Sequence, residues 1–182
     1  MSSTATGAGA GLLRLRELLQ EGGGLLAGLL GEPPSEPRAS DPAAIAASGP
    51  RAEGRREEYE LLVEAIYEGY LLHYSEPRLL RAPEADLGLL AGDRLYAIGL
   101  ARLVALGDTP AVAELADTIS LSALAHGAGE DALAEAVWVA GAAAVGWGST
   151  DAHRHAKRML LDGDPGALDA MRTSIPSLPK SP

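Results

Sequence analysis

The chain has 182 residues, of which 47% are apolar, yet it has no Phe, no Cys and only 4% aromatic residues. Its apolar mass is therefore Leu, Ala and Val, which favour or tolerate helix, and the lack of Cys excludes disulfides, thiolate chemistry and Cys-ligated metal sites. The net charge of −10 argues against nucleic-acid binding, which normally needs a basic surface to displace counterions.

Targeting signals are not expected in this sequence. Residues 1–10 are small and uncharged, and the first apolar stretch is broken by Arg14, Arg16 and Glu17, so a secretory signal is not predicted. The longest nearly charge-free run, residues 136–150, is too short to span a bilayer comfortably and predicts a buried helix. These features predict a cytoplasmic protein without a transmembrane segment.

The N-terminal part of the chain divides into three segments. Residues 1–10 are predicted to be disordered, and residues 11–30 to form a short amphipathic helical segment that three glycines interrupt at 22–24. Residues 31–54 are rich in Pro and Ser and predict a linker. A helical segment on such a tether can dock on a partner or fold back onto its own core, and the sequence leaves both open.

The folded domain is predicted at residues 55–161 as an all-α helical bundle. Periodicity, Pro and Gly delimit five helices, at residues 55–75, 84–106, 110–126, 130–147 and 152–161. The second of these helices is apolar almost all the way round, which predicts a central helix packed on several neighbours. Residues 162–182 are predicted to be a mostly disordered tail.

Asp93 is the most informative residue of that second helix. It follows Leu89 and Leu90 and precedes Tyr96 and Ala97, with no local cation to pair with it. The pattern therefore predicts a mostly buried carboxylate that needs a donor from elsewhere in the fold. A fixed hydrogen bond to another helix is the structural interpretation, and a ligand or metal site is the functional one.

Two other groups of residues invite a functional interpretation. Asp151 and His155 have a spacing that can chelate a metal, but no third ligand accompanies them, and a capping Asp on a solvated helix is the alternative. Tyr67, Tyr70 and Tyr74 follow one helix, where such residues more often form a core or an interface than a ligand platform.

Three stretches carry a resemblance to a known family. Residues 89–108, LLAGDRLYAIGLARLVALGD, and 111–130, AVAELADTISLSALAHGAGE, resemble the trans-isoprenyl diphosphate synthases, the polyprenyl synthetase family. That family has an Ala-Gly-Asp helix of this type, followed by a helix that closes in Gly-Glu or Gly-Gln. The sequence YLLHYSE at 70–76 is similar to the family's His-Asp-Asp helix end. The resemblance covers about residues 59–130 and implies a bundle like a truncated isoprenoid-synthase core, with disordered termini.

The chain departs from the family where the family binds its substrate. There, an aspartate-rich motif holds the magnesium ions that hold an allylic diphosphate, but here His73 is followed by Tyr-Ser-Glu, without a pair of carboxylates at helical spacing. The basic loop is reduced to Arg78 and Arg81, and no second aspartate-rich motif follows. Because ionising an allylic diphosphate needs metal neutralisation of the leaving group, the comparison implies a chain that does not run that reaction.

These observations predict a non-catalytic polyprenyl-synthase-like protein, a partner or regulatory subunit in isoprenoid metabolism. A truncated bundle exposes helix faces that need cover, which predicts a homo-oligomer or a hetero-partner such as a full-length prenyl synthase. No catalytic residue, metal ligand or cofactor is predicted. One polar cluster is predicted, for ligand binding or for structure: His73, Glu76, Arg78, Arg81 and Asp93.

Two alternatives stay open at this point. The first is a helical interaction or scaffold protein with no isoprenoid role, which would use residues 12–30 for docking. The second is an enzyme or a small apolar-ligand-binding protein with an altered apolar cavity, on which His73, Glu76 and Asp93 would converge.

Overall fold

The computed structural model describes residues 9–34 and 41–176, and in these residues the protein is all-α, as predicted. The helices are α1 Ala10–Gly22, α2 Gly24–Gly28, α3 Pro42–Ser48, α4 Arg56–Tyr74, α5 Ala85–Ala105, α6 Thr109–Gly127, α7 Asp131–Trp147, α8 Asp151–Leu161 and α9 Ala167–Thr173. A 3₁₀ turn at Pro50–Ala52 precedes α4.

The central helix of the bundle is α4. Every residue from 61 to 70 is buried, because α1, α3, α5 and α6 all contact this helix. The prediction that the second long helix would be central is wrong. That helix, α5, packs mainly along α4 and leaves Leu89, Leu90 and Val104 exposed to solvent.

Two glycines of α5 set its close approach to α4. A Cβ atom at Gly99 would lie 2.4 Å from Cγ1 of Ile66 and 2.8 Å from the carbonyl oxygen of Leu62. A Cβ atom at Gly92 would lie 2.5 Å from Cδ2 of His73. Since real Cβ atoms do not approach other atoms so closely, only glycine fits at both positions without a shift of the helices.

The N-terminal segment folds back onto the protein's own core, which decides between the two alternatives for residues 11–30. Three leucines of α1 are buried in an apolar cluster with α4 and α5: Leu12, Leu15 and Leu19. Beyond α2 the chain pairs with the loop that leads to α5. The Gly31 N–H donates to the Leu79 carbonyl at 2.8 Å, and the Arg81 N–H donates to the Leu29 carbonyl at 2.8 Å.

The predicted linker, residues 31–54, contains the helix α3. Asp41 begins this helix, and its carboxylate accepts a hydrogen bond of 3.0 Å from the Ala43 N–H. The helix packs on α7, where a Cβ atom at Gly49 would lie 2.2 Å from the carbonyl carbon of Gly146. The small residues that suggested a linker therefore serve a close helix crossing.

The predicted tail, residues 162–182, contains α9, which packs against α7 and α8 and buries Met171. The residues at 1–8, 35–40 and 177–182, for which disorder or a linker was predicted, lie outside the described residues.

The most apolar stretch of the sequence forms α7. Between residues 136 and 146 all side chains except the half-buried Val139 are buried, which confirms the prediction of a buried helix. Of the helices in the described residues, none is both long and apolar enough to cross a membrane.

Candidate functional site

Most aromatic side chains of the chain lie in one place. The sequence has five Tyr, two Trp and no Phe, so a concentration of rings is informative. Four tyrosines, one tryptophan and two histidines form a continuous network of ring contacts, with centroids 4.9–5.8 Å apart. We call it the aromatic–histidine cluster, and its members are Tyr67, Tyr70, His73, Tyr74, Tyr96, His126 and Trp138.

A chain of hydrogen bonds runs through this cluster from Tyr70 to Asp131. The Tyr70 hydroxyl lies 2.6 Å from Nε2 of His126, and Nδ1 of His126 lies 3.0 Å from Oδ1 of Asp131. Because a carboxylate only accepts, Nδ1 carries a proton and donates to Asp131, and when the ring is neutral Nε2 accepts from Tyr70. Tyr74 stacks on the His126 ring, with centroids 5.1 Å apart and an interplanar angle of 5°. This order of hydroxyl, imidazole and carboxylate can hold or pass a proton.

A cavity of about 340 Å³ opens beside this chain of hydrogen bonds. Tyr70, Tyr74 and His126 line it, together with the carboxylates of Asp131 and Glu135. The helix ends place these groups: His126 lies in the last turn of α6, and Asp131 lies in the first turn of α7, where a carboxylate matches the helix dipole. The cavity is therefore polar and acidic rather than suited to a diphosphate.

The two residues that the resemblance emphasised, His73 and Asp93, do meet. Nε2 of His73 lies 3.2 Å from Oδ1 of Asp93, but not in line for a hydrogen bond, so the contact is electrostatic when the ring is protonated. The prediction that Asp93 is mostly buried is wrong, because 69% of its side chain is exposed. Asp93 needs no buried donor, since water solvates it.

Tyr96 supports the other side of His73. The two rings stack, with centroids 5.4 Å apart. Burial raises the pKa of Tyr96, and the hydroxyls of Tyr74 and Tyr70 and the carboxylate of Asp93 raise it further. Gly92 leaves room for this stack, because any side chain there would occupy the position of the His73 ring. The glycine of the Ala-Gly-Asp sequence is thus explained by the space that the His73 ring needs.

The other predicted cluster residues lie elsewhere. The Arg78 side chain points into the protein interior. Glu76 is exposed, two residues beyond the end of α4. Arg81 bonds to the loop that contains it: Nη1 donates to the carbonyls of Pro77 at 3.0 Å and Leu80 at 3.1 Å. The predicted cluster of five therefore separates into a His73–Asp93 contact, an internal ion pair and two loop residues.

Arg78 belongs to a buried cluster with two glutamates of α4. Its Nη2 donates to Oε1 of Glu64, and its Nε lies 3.5 Å from Oε2 of Glu68. Glu68 also accepts backbone N–H bonds from Arg78 at 3.1 Å, Leu79 at 2.6 Å and Leu80 at 3.1 Å. The guanidinium lies 5.0 Å from the ring centroid of Tyr67. This cluster ties the 78–80 loop to the central helix.

Burial affects the protonation of Glu64. Burial raises the pKa of Glu64 to about 8, although Arg78 beside it acts in the opposite direction. One guanidinium cannot neutralise two buried carboxylates, and Glu68 has three amide donors in addition. Burial therefore favours the protonated form of Glu64.

Sequence reasoning missed Glu64, Glu68, His126 and Asp131. Two Glu residues four apart usually lie on the solvent-exposed face of a helix. The only signal for their burial was that apolar residues occur on every side of α4. The His126–Asp131 pair spans a helix end, where spacing alone does not predict contact.

A second polar network joins α6 to α8. Glu114 accepts from Lys157 at 3.0 Å and lies 3.2 Å from Nε2 of His153, whose Nδ1 is 3.4 Å from Oγ of Ser174. Although burial acts to raise it, the pKa of Glu114 falls to about 2 because of the hydrogen bonds from His153 and Lys157. The order Ser–His–Glu is that of a hydrolase triad, but Ser174 is buried and its Oγ donates to the Met171 carbonyl at 2.7 Å.

The pair Asp151 and His155 shows no metal-site geometry. Asp151 is fully exposed and pairs with Arg154 at 2.6 Å. Within residues 9–34 and 41–176 there is no group of three His, Cys, Asp or Glu side chains that could hold a metal ion.

Comparisons of the chain with models of protein families, with curated proteins and with solved structures find no match.

Proposed function

We propose that this chain is a non-catalytic polyprenyl-synthase-like protein that acts as a partner or regulatory subunit in isoprenoid metabolism. The observation that carries the proposal is the outer face of α5, where Ala97, Ala101 and Val104 are exposed in one apolar row. Leu90 is exposed on the same helix, beyond the charged residues Asp93 and Arg94. Leu90 is 61% exposed and Val104 63%. Exposed apolar residues along one helix of a bundle are typical of a surface that another protein covers.

The state of the two loop arginines supports the non-catalytic part of the proposal. A diphosphate needs cations that are free to bind it. Arg78 is held in the interior by Glu64 and Glu68, and Arg81 donates to carbonyls of its own loop. The Tyr-Ser-Glu sequence after His73 offers no carboxylate pair for magnesium.

The partner part is tested with a full-length polyprenyl synthase encoded in the same genome. We expect the two proteins to co-elute on size exclusion and the complex to change the rate or product length of the synthase. Val104→Glu places a charge on the outer face of α5 and is expected to weaken the complex at least about tenfold. The matched control is Leu161→Glu on α8, which is also 63% exposed and should leave the complex intact. A synthase that neither binds nor responds contradicts the partner role and favours a scaffold protein without isoprenoid role.

The non-catalytic part is tested on the chain alone. With an allylic diphosphate, isopentenyl diphosphate and Mg²⁺, we expect no prenyl transfer above the protein-free rate. Any turnover that scales with protein concentration contradicts the proposal, because it requires a diphosphate site that the loop arginines do not provide.

A further inference from the structure

A second cavity lies away from the aromatic–histidine cluster, between the α1–α2 turn and α5. It is a groove of about 750 Å³. Its walls are mainly apolar, and the side chains that form them are Leu18, Leu19, Leu25, Leu26, Leu90 and Ile98. Leu25 and Leu90 are at least half exposed, although leucine at such a position gains nothing from water.

The sequence builds each wall by a simple rule. On α5, Leu90, Arg94, Ile98 and Arg102 follow each other at intervals of four residues, so their side chains form one ridge along the groove. On the other side, the glycines at 22–24 end α1 and restart the chain as α2. Gly23 and Gly24 have φ values of 62° and 69°, the left-handed region that favours glycine.

The charge of the groove is opposite to that of the protein. The chain as a whole carries −10, but the described residues that line the groove include two arginines and no carboxylate. Arg102 lies 3.1 Å from Glu58, with both side chains about one-third exposed. Arg94 has no hydrogen-bond or ion-pair partner in the part of the chain that the structure describes. One guanidinium is therefore free to meet an anion from solution.

We propose that this groove binds an amphiphilic anion, a molecule with one apolar chain and a carboxylate or phosphate head, taken up as a free molecule. The apolar chain lies along the leucines, and the head meets Arg94 and Arg102. A volume of about 750 Å³ suits a small-molecule ligand, for which pockets of roughly 300–1,000 Å³ are usual. The proposal does not rest on the proposed partner role, because it would hold equally for a scaffold protein.

Four probes with the same twelve-carbon chain test the head-group preference: dodecanoate, dodecyl phosphate, dodecanol and dodecyltrimethylammonium. Each is titrated calorimetrically into the full chain below the concentration at which it forms micelles or, for dodecanol, below its solubility limit. We expect one molecule of either anion to bind per chain, about fivefold more tightly than dodecanol, and the cation to bind most weakly. Equal binding of all four overturns the role of the arginines. If none binds, the ligand site itself is overturned.

Substitutions on the α5 ridge locate the binding. Arg94→Gln is expected to lower the affinity for dodecanoate about fivefold and to leave that for dodecanol unchanged. Leu90→Glu should abolish binding of both, since it puts a carboxylate inside the groove. The controls are Arg158→Gln on α8 and Val104→Glu on α5, neither of which lines the groove. All four side chains are solvent-exposed, so an unchanged melting temperature shows that each variant folds. Equal effects of Leu90→Glu and Val104→Glu overturn the assignment to this groove.

Vesicles separate a free ligand from a membrane. We expect no sedimentation of the protein with phosphatidylglycerol vesicles under conditions where dodecanoate binds. Sedimentation that Leu90→Glu removes, without binding of any monomeric probe, overturns the proposal in favour of a membrane surface.

Discussion

The neighbouring helices α4 and α5 distribute polar and apolar residues in opposite ways. The central helix α4 buries two carboxylates, Glu64 and Glu68, almost completely. Its neighbour α5 has a more apolar sequence but leaves Leu90 and Val104 in water. The position of a helix in this bundle is therefore not set by how apolar it is.

The difference follows from what each helix meets. Burying a carboxylate is costly unless donors replace water, and the 78–80 loop supplies a guanidinium and three amide N–H groups to α4. For α5, the glycines at 92 and 99 fix its contact with α4, and no further helix in the described residues covers its opposite face. Substitutions can test the buried carboxylates of α4 and the exposed apolar residues of α5 separately.

The largest effect is expected at Glu68. Glu68→Ala removes the acceptor of three buried amide groups and a partner of Arg78, so we expect a loss of about 3–5 kcal/mol in the free energy of unfolding. Urea denaturation followed by circular dichroism measures it. Glu68→Gln keeps one acceptor oxygen and should cost clearly less. A loss below about 1 kcal/mol for the alanine variant would mean that water replaces the carboxylate.

A smaller effect is expected where the two helices touch. Gly99→Ala inserts a methyl group against Ile66 and the Leu62 carbonyl, which should force the helices apart and cost about 1–3 kcal/mol. The matched control is Gly127→Ala at the end of α6, where a Cβ atom has nothing within 4 Å. Because alanine restricts the unfolded chain, the control should stabilise by about 0.4–1 kcal/mol. The same denaturation experiment tests both variants. If both changed the free energy of unfolding with the same sign, this would contradict the close approach of α4 and α5.

Much of this fold follows from local signals in the sequence. The predicted helices at 55–75 and 130–147 match Arg56–Tyr74 and Asp131–Trp147 because periodicity and flanking Pro and Gly are local. Which helix is central depends on contacts between distant segments, so the apolar surface of α5 led to the wrong choice. The helix α3 was missed because its alanines and Gly49 gain stability only from the distant surfaces of α4 and α7.

The candidate site was less predictable than the fold. His73 and Asp93 were named in advance, and they meet because the glycine before Asp93 lets α5 approach the ring. The inward turn of Arg78 depends on Glu64 and Glu68, whose spacing looked like a solvated face. No local pattern distinguishes a solvated from a buried Glu pair on a helix, since the partner Arg78 comes from the loop after α4.

A pH dependence is expected from the buried acid of α4. Since burial raises the pKa of Glu64 from 4.5 to about 8, the folded state holds this proton more tightly than the unfolded chain. The free energy of unfolding should therefore fall as pH rises from 5 to 8, by up to about 3 kcal/mol, and level off above that. Urea denaturation at several pH values measures this slope.

The variant Glu64→Gln isolates that contribution. Its slope between pH 5 and pH 8 should be smaller than that of the wild type, because the amide does not titrate. Glu114 does not interfere, since its pKa is lowered to about 2 and its stabilisation is lost only as pH falls below 4.5. Identical slopes in both proteins would mean that Glu64 is ionised throughout and that Arg78 outweighs burial.

The smallest effect is expected on the outer face of α5. Val104 is 63% exposed and contributes little to the core, so Val104→Glu should change the free energy of unfolding by less than about 0.5 kcal/mol. Thermal and urea denaturation of the isolated chain measure it. A larger loss would mean that Val104 is already covered in the free protein, for example by a second copy, and the variant would then melt at a concentration-dependent temperature. A small loss would show that the exposed apolar residues of α5 contribute little to contacts within this chain, in contrast to the buried polar residues of α4.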